Sequence, residues 1–207
     1  MTTDPHAITD IATLEALYGT VNPNSLAKET PALTSEYRAW IEAAPFMAVA
    51  SAGQGGLDCS PRGDVPGRLF AVEDARTLLI PDRRGNNRLD TLRNIVADPR
   101  LALLFLVPGV PECVRVNGRG TVTADPALLA RFAVEGNPPA TVLQVAINAV
   151  YFQCARALIR SRLWQQDAQL PPGTVPTAGQ MTKAAKPDFD AEIYDAALRP
   201  RQHGSLY

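Results

Sequence analysis

The stretch "TLLIPDRRGNNRLDTLRNIVADPRLALLFLV", residues 77 to 107, contains three kinds of element in a row. Its first residues, through Ile80, are β-prone, and "LALLFLV" (101–107) is apolar throughout, which predicts a fully buried strand. Between them Leu89, Leu92, Arg93 and Val96 follow helical spacing. This predicts a helix over about 88–97, ended by Asp98-Pro99. The loop before that helix is basic: Arg83, Arg84 and Arg88 flank a Gly-Asn-Asn turn, and Arg93 follows one turn on.

So much local positive charge is unexpected in a chain of 207 residues with a formal net charge of −1. Near-neutrality excludes a protein that coats nucleic acid through bulk electrostatics, so any anion site must be local. Asn86, Asn87 and Arg88 stand where a loop meets a helix N-terminus. There, unpaired backbone N–H groups and the helix dipole add to a guanidinium in holding a phosphate. The alternative is a solvated basic loop in an arginine-rich, lysine-poor chain.

Short β-prone runs surround this stretch. "FMAVAS" (46–51), the glycine turn "AGQGG" and "LDCSPR" (57–62) predict a hairpin, and "GRLFAVE" with "TLLIPD" across the turn "EDAR" predicts a second. "CVRVNGRGTVTA" (113–124) reads as a long strand with a bend or bulge at Gly118 and Gly120. Asp125-Pro126 opens a helix as N-cap and N1, and "TVLQVAINAVYFQC" (141–154) returns to strand. Helices are also predicted over 7–18, 34–44 and 188–198, with a short one starting in "ARALIRSRLW" (155–164). Short strands with few helices between them indicate an α+β barrel rather than alternating βαβ units.

The domain reading is an N-terminal helical segment (1–33), a barrel domain (34–164), and a proline-rich linker with a C-terminal helix or arm (165–207). The 46% hydrophobic content suits one core. With no secretory leader and no apolar run long enough for a membrane helix, the cytoplasm is the expected compartment.

The chemistry carried by side chains is sparse. The only histidines are His6 and His203, near the ends, and no lysine stands between Lys28 and Lys183. Three cysteines, Cys59, Cys113 and Cys154, lack zinc-site spacing. No metal site is expected, and an enzyme of this composition needs a cofactor to supply the reactive atoms. "GQGG" (53–56) lacks the third glycine of a dinucleotide loop, and the tripeptide "RGD" (62–64) reads as coincidence. Two further segments carry arginine: "CSPRGDVPG" (59–67), with Ser60, Arg62 and Gly63 at a strand end, and "ARALIRSRLW", with Arg156, Arg160, Arg162 and Trp164. Three arginine-bearing segments suggest one shared anionic ligand.

"SPRGDVPGRLF", "TLLIPDRRGNNRLDTLRNIVADPRLALLFLVPG", "RVNGRG" and "CARALIRSRLW", in this order, resemble the FMN-binding split-barrel proteins related to pyridoxamine 5′-phosphate oxidase. The resemblance covers about residues 34–164 and implies a six-stranded antiparallel split β-barrel with flanking helices, dimeric, with FMN at the subunit interface. It also implies an FMN-dependent oxidoreductase acting by hydride transfer through N5 on a small-molecule substrate or a nicotinamide electron donor. The family's Ser-Arg-Lys phosphate grip is replaced here by Asn86-Asn87-Arg88. By the same resemblance Ser60, Arg62 and Gly63 run along the flavin ring, and Arg160, Arg162 and Trp164 approach the cofactor. The oxidases' terminal pattern for pyridoxal phosphate has no clear counterpart here. Two other readings stay open: a barrel that binds FMN, a deazaflavin or haem without turnover, and a scaffold dimer with a vestigial pocket.

Overall fold

In the computed structural model, residues 4–207 are described; the first three residues of the N-terminal segment lie outside them. The chain runs α1 (Ile11–Tyr18), α2 (Pro23–Ala27), α3 (Ser35–Glu42), β1 (Phe46–Gly53), β2 (Gly56–Gly63), β3 (Ala71–Asp74) and β4 (Thr77–Pro81). It continues with α4 (Asp90–Ala97), β5 (Arg100–Leu106), β6 (Cys113–Thr123), α5 (Pro126–Arg131), β7 (Val142–Gln153), α6 (Arg156–Ser161), α7 (Ala178–Ala185) and α8 (Ala191–His203).

The strands form one antiparallel sheet in the order β2-β1-β5-β6-β7-β4-β3. The fold is therefore α+β, as expected, but the sheet has seven strands rather than six. Its edge strands β2 and β3 do not pair with each other, so hydrogen bonding does not close the ring. The second hairpin is irregular: β3 is only four residues long and its register shifts between Val72 and Asp74.

One face of the sheet carries the core. Met47 and Val49 of β1, Leu103 and Phe105 of β5, Val116 of β6 and Val145 of β7 are buried. A fully buried side chain of this size contributes roughly 1.5–3 kcal/mol, so this layer dominates the stability of the sheet. The strand β5 is not buried on both faces as its composition predicts. Leu101, Leu103 and Phe105 point inward while Ala102, Leu104 and Leu106 remain partly exposed, so an apolar face is left half-covered.

The bend predicted in the long strand is a β-bulge: the β6–β7 register shifts between Asn117 and Gly118. A Cβ at Gly118 would lie 2.4 Å from the Ala146 carbonyl oxygen, which explains why glycine stands there. Asp125 caps α5 as expected from sequence, accepting from the Ala127 N–H, and Thr34 caps α3, accepting from the Tyr37 N–H. The helix α1 begins at Ile11 behind the N-cap Asp10, and none of its residues is buried.

The segment 165–187 is more ordered than its prolines suggest, because it contains α7. That helix starts with a capping box in which Thr177 and Gln180 satisfy each other's backbone N–H groups. It packs on α8, where Gly179 meets Asp195, whose carboxylate accepts from the Gly179 N–H at 2.8 Å.

Candidate functional site

Strand β2 sets one wall of the site by simple alternation. Asp58, Ser60 and Arg62 share one face while Leu57, Cys59 and Pro61 take the other. The first face looks onto the loop that leaves β4 and enters α4. Between them lies a cleft of about 930 Å³, within the roughly 300–1,000 Å³ of small-molecule sites.

The cleft brings together Ser60, Arg62 and Gly63 from one wall and Asn86, Asn87 and Arg88 from the other. Six of the nine residues singled out in the sequence therefore converge. Arg160, Arg162 and Trp164 do not line the cleft. Arg162 instead pairs with Asp167 and donates to Gln165 at 2.6 Å, and the Trp164 Nε1–H donates to the Val110 carbonyl at 2.8 Å.

The loop is held in an unusual backbone. Asn87 and Leu89 have φ of 58° and 63°, and Leu89 is the N-cap of α4. Asparagine tolerates the left-handed region, but leucine there costs about 1–3 kcal/mol, and such strain concentrates at binding sites. No side chain caps the first turn of α4. Its N-terminal amides are thus available to an anion. The exposed Asn86 side chain folds back on its own loop, accepting from the Arg88 N–H at 3.1 Å.

Helix α4 is fixed by a small polar cluster. The Thr91 hydroxyl donates to Asp58, and Asn94 donates to Ser51 Oγ and to the Gly56 carbonyl, both at 3.3 Å. These contacts set the helix N-terminus against β2.

The arginines face aspartates, which the sequence reading missed. Arg62 donates to Ser60 Oγ at 2.8 Å and lies 3.6 Å from Asp82, while Arg88 donates to Asp90 at 2.8 Å. Burial pushes the Asp82 carboxyl above the ordinary range, and the nearby Arg62 opposes that rise. The hydrogen bond from Arg88 to Asp90 pushes the guanidinium further up. Arg83 is structural: it donates to Asp64 at 3.1 Å, to the Phe132 carbonyl at 2.7 Å and to the Arg68 carbonyl at 3.2 Å. Among the described residues, Arg84 lines the cleft without an acidic partner.

The last missed contributor is Tyr207, whose hydroxyl reaches Asp64 at 2.7 Å across 143 positions of sequence. No local motif announces such a contact. Asp58 was missed too, although the period-two pattern of "LDCSPR" puts it on one face with Ser60 and Arg62. Among the described residues no cluster of metal-ligating side chains exists, and no helix is long and apolar enough to cross a membrane.

Several solved structures are similar to this chain. HupZ from Group A Streptococcus is 15% identical over 57% of this chain and 91% of its own, with a TM-score of 0.47. General Stress Protein 26 from Bacillus anthracis is 12% identical over 56% and 88%, with a TM-score of 0.42. The FAD binding protein from Mycobacterium smegmatis is 13% identical over 60% and 97%, with a TM-score of 0.41. Among curated proteins none matches the chain.

The family model described as "Pyridoxamine 5'-phosphate oxidase" matches residues 33–154, more than half of the chain. That span begins just ahead of α3, ends with β7, and holds both walls of the cleft from Asp58 to Thr91. With the matched segment and the cleft coinciding, the chain belongs to the pyridoxamine 5′-phosphate oxidase family.

Proposed function

We propose that this protein is a homodimeric, FMN-dependent oxidoreductase on a split-barrel frame, with the cleft between β2 and the 82–89 loop as its flavin site. The observation that carries the reading is the convergence of Ser60, Arg62 and Gly63 with Asn87, Arg88 and the uncapped start of α4 on one cleft of suitable size.

The residues fit a phosphorylated, flat, polar ligand. Arg88 is the first candidate for the phosphate, with Asn86, Asn87, the α4 amides and Arg84 beside it. Its ion pair with Asp90 does not oppose this, because Arg88 is 75% exposed and such pairs stabilise little in water. The guanidinium can exchange one oxyanion for another. Arg62, oriented by Ser60 and balanced by Asp82, is the cation available to the electron-rich edge of the ring, with Gly63 leaving room for close approach. When bound, FMN supplies two-electron chemistry by hydride transfer at N5. The chain's own part is to grip, orient and shield.

A dimer accounts for apolar surface that one protomer leaves bare. Besides the outer face of β5, Phe152, Ile159 and Leu163 are exposed around the β7–α6 corner, beside Arg160, Arg162 and Trp164. On this reading those three residues serve the partner's cofactor site. The physiological reductant is a small-molecule substrate or a nicotinamide donor.

The test is reduction under air. Protein loaded with FMN is mixed with NADH or NADPH, and steady consumption of the nucleotide above the free-flavin rate supports the enzyme. A stable yellow protein that consumes neither, and none of a panel of small reductants, identifies a flavin-binding module instead.

A further inference from the structure

Asp64 is placed as a buried receptor for a hydrogen-bond donor. Its side chain is only 2% exposed, yet it opens on the cleft, and each of its oxygens is engaged. Oδ2 accepts from Arg83 Nε at 3.1 Å; Oδ1 accepts from the Val65 N–H at 2.8 Å and from the Tyr207 hydroxyl at 2.7 Å. The Tyr207 ring lies under the Arg83 guanidinium, 5.6 Å from carbon to centroid. Arg83 itself is locked by two backbone carbonyls and cannot follow a leaving group.

We propose that the Asp64–Arg83 end of the cleft is a binding subsite for a neutral, flat ring bearing a phenolic hydroxyl, with Tyr207 occupying it in this structure. As a substrate pocket the subsite rests on the flavin reading above; as a phenol site it stands without it.

The chemistry selects the ligand. An anionic head would meet the Asp64 carboxylate, and a cationic one would meet Arg83 and Arg68, so a neutral O–H donor is the group that both tolerate. A flat π-face then gains from the fixed guanidinium. The occupant behaves accordingly: the neutral Tyr207 phenol donates to Asp64 at 2.7 Å, and that hydrogen bond pushes it above its ordinary value. Departure of Tyr207 leaves Asp64 still bonded to Arg83 and Val65, so the subsite survives emptying. The segment carrying Tyr207 follows the α8 C-cap Gly204, and Tyr207 is only half-buried, so exchange for a ligand disturbs little of the fold.

The experiment uses full-length protein without flavin, titrated with p-cresol and with 4-methylanisole, which lacks the donor, by ligand-observed NMR. Tyr207→Ala should bind p-cresol about tenfold or more tightly than wild type does, and prefer it over 4-methylanisole by about the same factor, the effect of one hydrogen bond to a charged acceptor. Tyr207→Phe, which keeps the ring but not the hydroxyl, should also bind p-cresol better than wild type. Equal affinity in wild type and both variants, no binding by either variant while folded by circular dichroism, or no preference between the two ligands overturns the proposal. An FMN titration of the same samples reports separately on the flavin reading: flavin binding without p-cresol binding removes only the subsite, and the reverse removes only the flavin.

Discussion

Arg83 and Asp64 meet at 3.1 Å with 16% and 2% of their side chains exposed, and they join the loop after β4 to the end of β2. The pair looks like part of an anion grip in sequence, but in the fold it is a brace. Arg83→Ala strands a buried carboxylate and two carbonyls, which should cost about 3–5 kcal/mol. A fall in melting temperature checks this. Arg84→Ala, which breaks no ion pair, should leave melting unchanged and weaken only ligand binding.

The seat of α4 gives a second prediction. A Cβ at Gly53 would fall 2.5 Å from Asn94 Oδ1 and 2.9 Å from its Cα, so Gly53→Ala must shift the helix backbone. Overpacking of this kind costs about 1–3 kcal/mol. Because α4 carries the end of the cleft proposed to hold the phosphate, FMN affinity should fall as well. Gly55→Ala, with nothing within 4 Å of the new Cβ, should change neither melting nor binding.

Asp82 yields a pH dependence with a definite sign. Its carboxyl is raised above the ordinary value of 3.8 by burial, so the folded chain holds this proton to higher pH than the unfolded chain does. Stability from this group is therefore full below 3.8 and is lost as pH rises through the raised folded value. Asp82→Asn should remove that slope from the melting temperature. It should also free Arg62 and raise FMN affinity several-fold at neutral pH, measured by fluorescence quenching.

Much of this architecture could be read from local signals. Asp125 marked a helix start because capping chemistry is local, and Gly118 marked the bulge because only glycine fits against Ala146 there. The capping box at Thr177 and Gln180 was equally legible, but the prolines around it drew the reading towards a linker. The cleft walls could be read from arginine, serine and glycine, whereas the compensating aspartates could not, since each pairing except Arg88–Asp90 joins positions distant along the chain. Tyr207 lay beyond sequence reasoning for the same reason: its contact with Asp64 depends on how α8 is placed.

Tyr207 offers a spectroscopic prediction. Its phenol is held protonated by Asp64 beyond the ordinary value of 10.0, so its phenolate should form later than that of a free tyrosine. In a titration followed at the phenolate absorbance, Tyr207→Phe should delete a late-ionising component. Loss of an ordinary component instead would show that the hydroxyl does not meet Asp64.

The most direct measurement is an FMN titration of the flavin-free protein, followed by flavin fluorescence, with wild type and Arg88→Ala side by side. Saturable quenching by wild type, with affinity reduced about tenfold or more in Arg88→Ala, is the expected result for loss of a charge-assisted phosphate contact. Wild-type protein that leaves FMN fluorescence unchanged, or equal affinity in the two proteins, contradicts the assignment of this cleft as the phosphate grip.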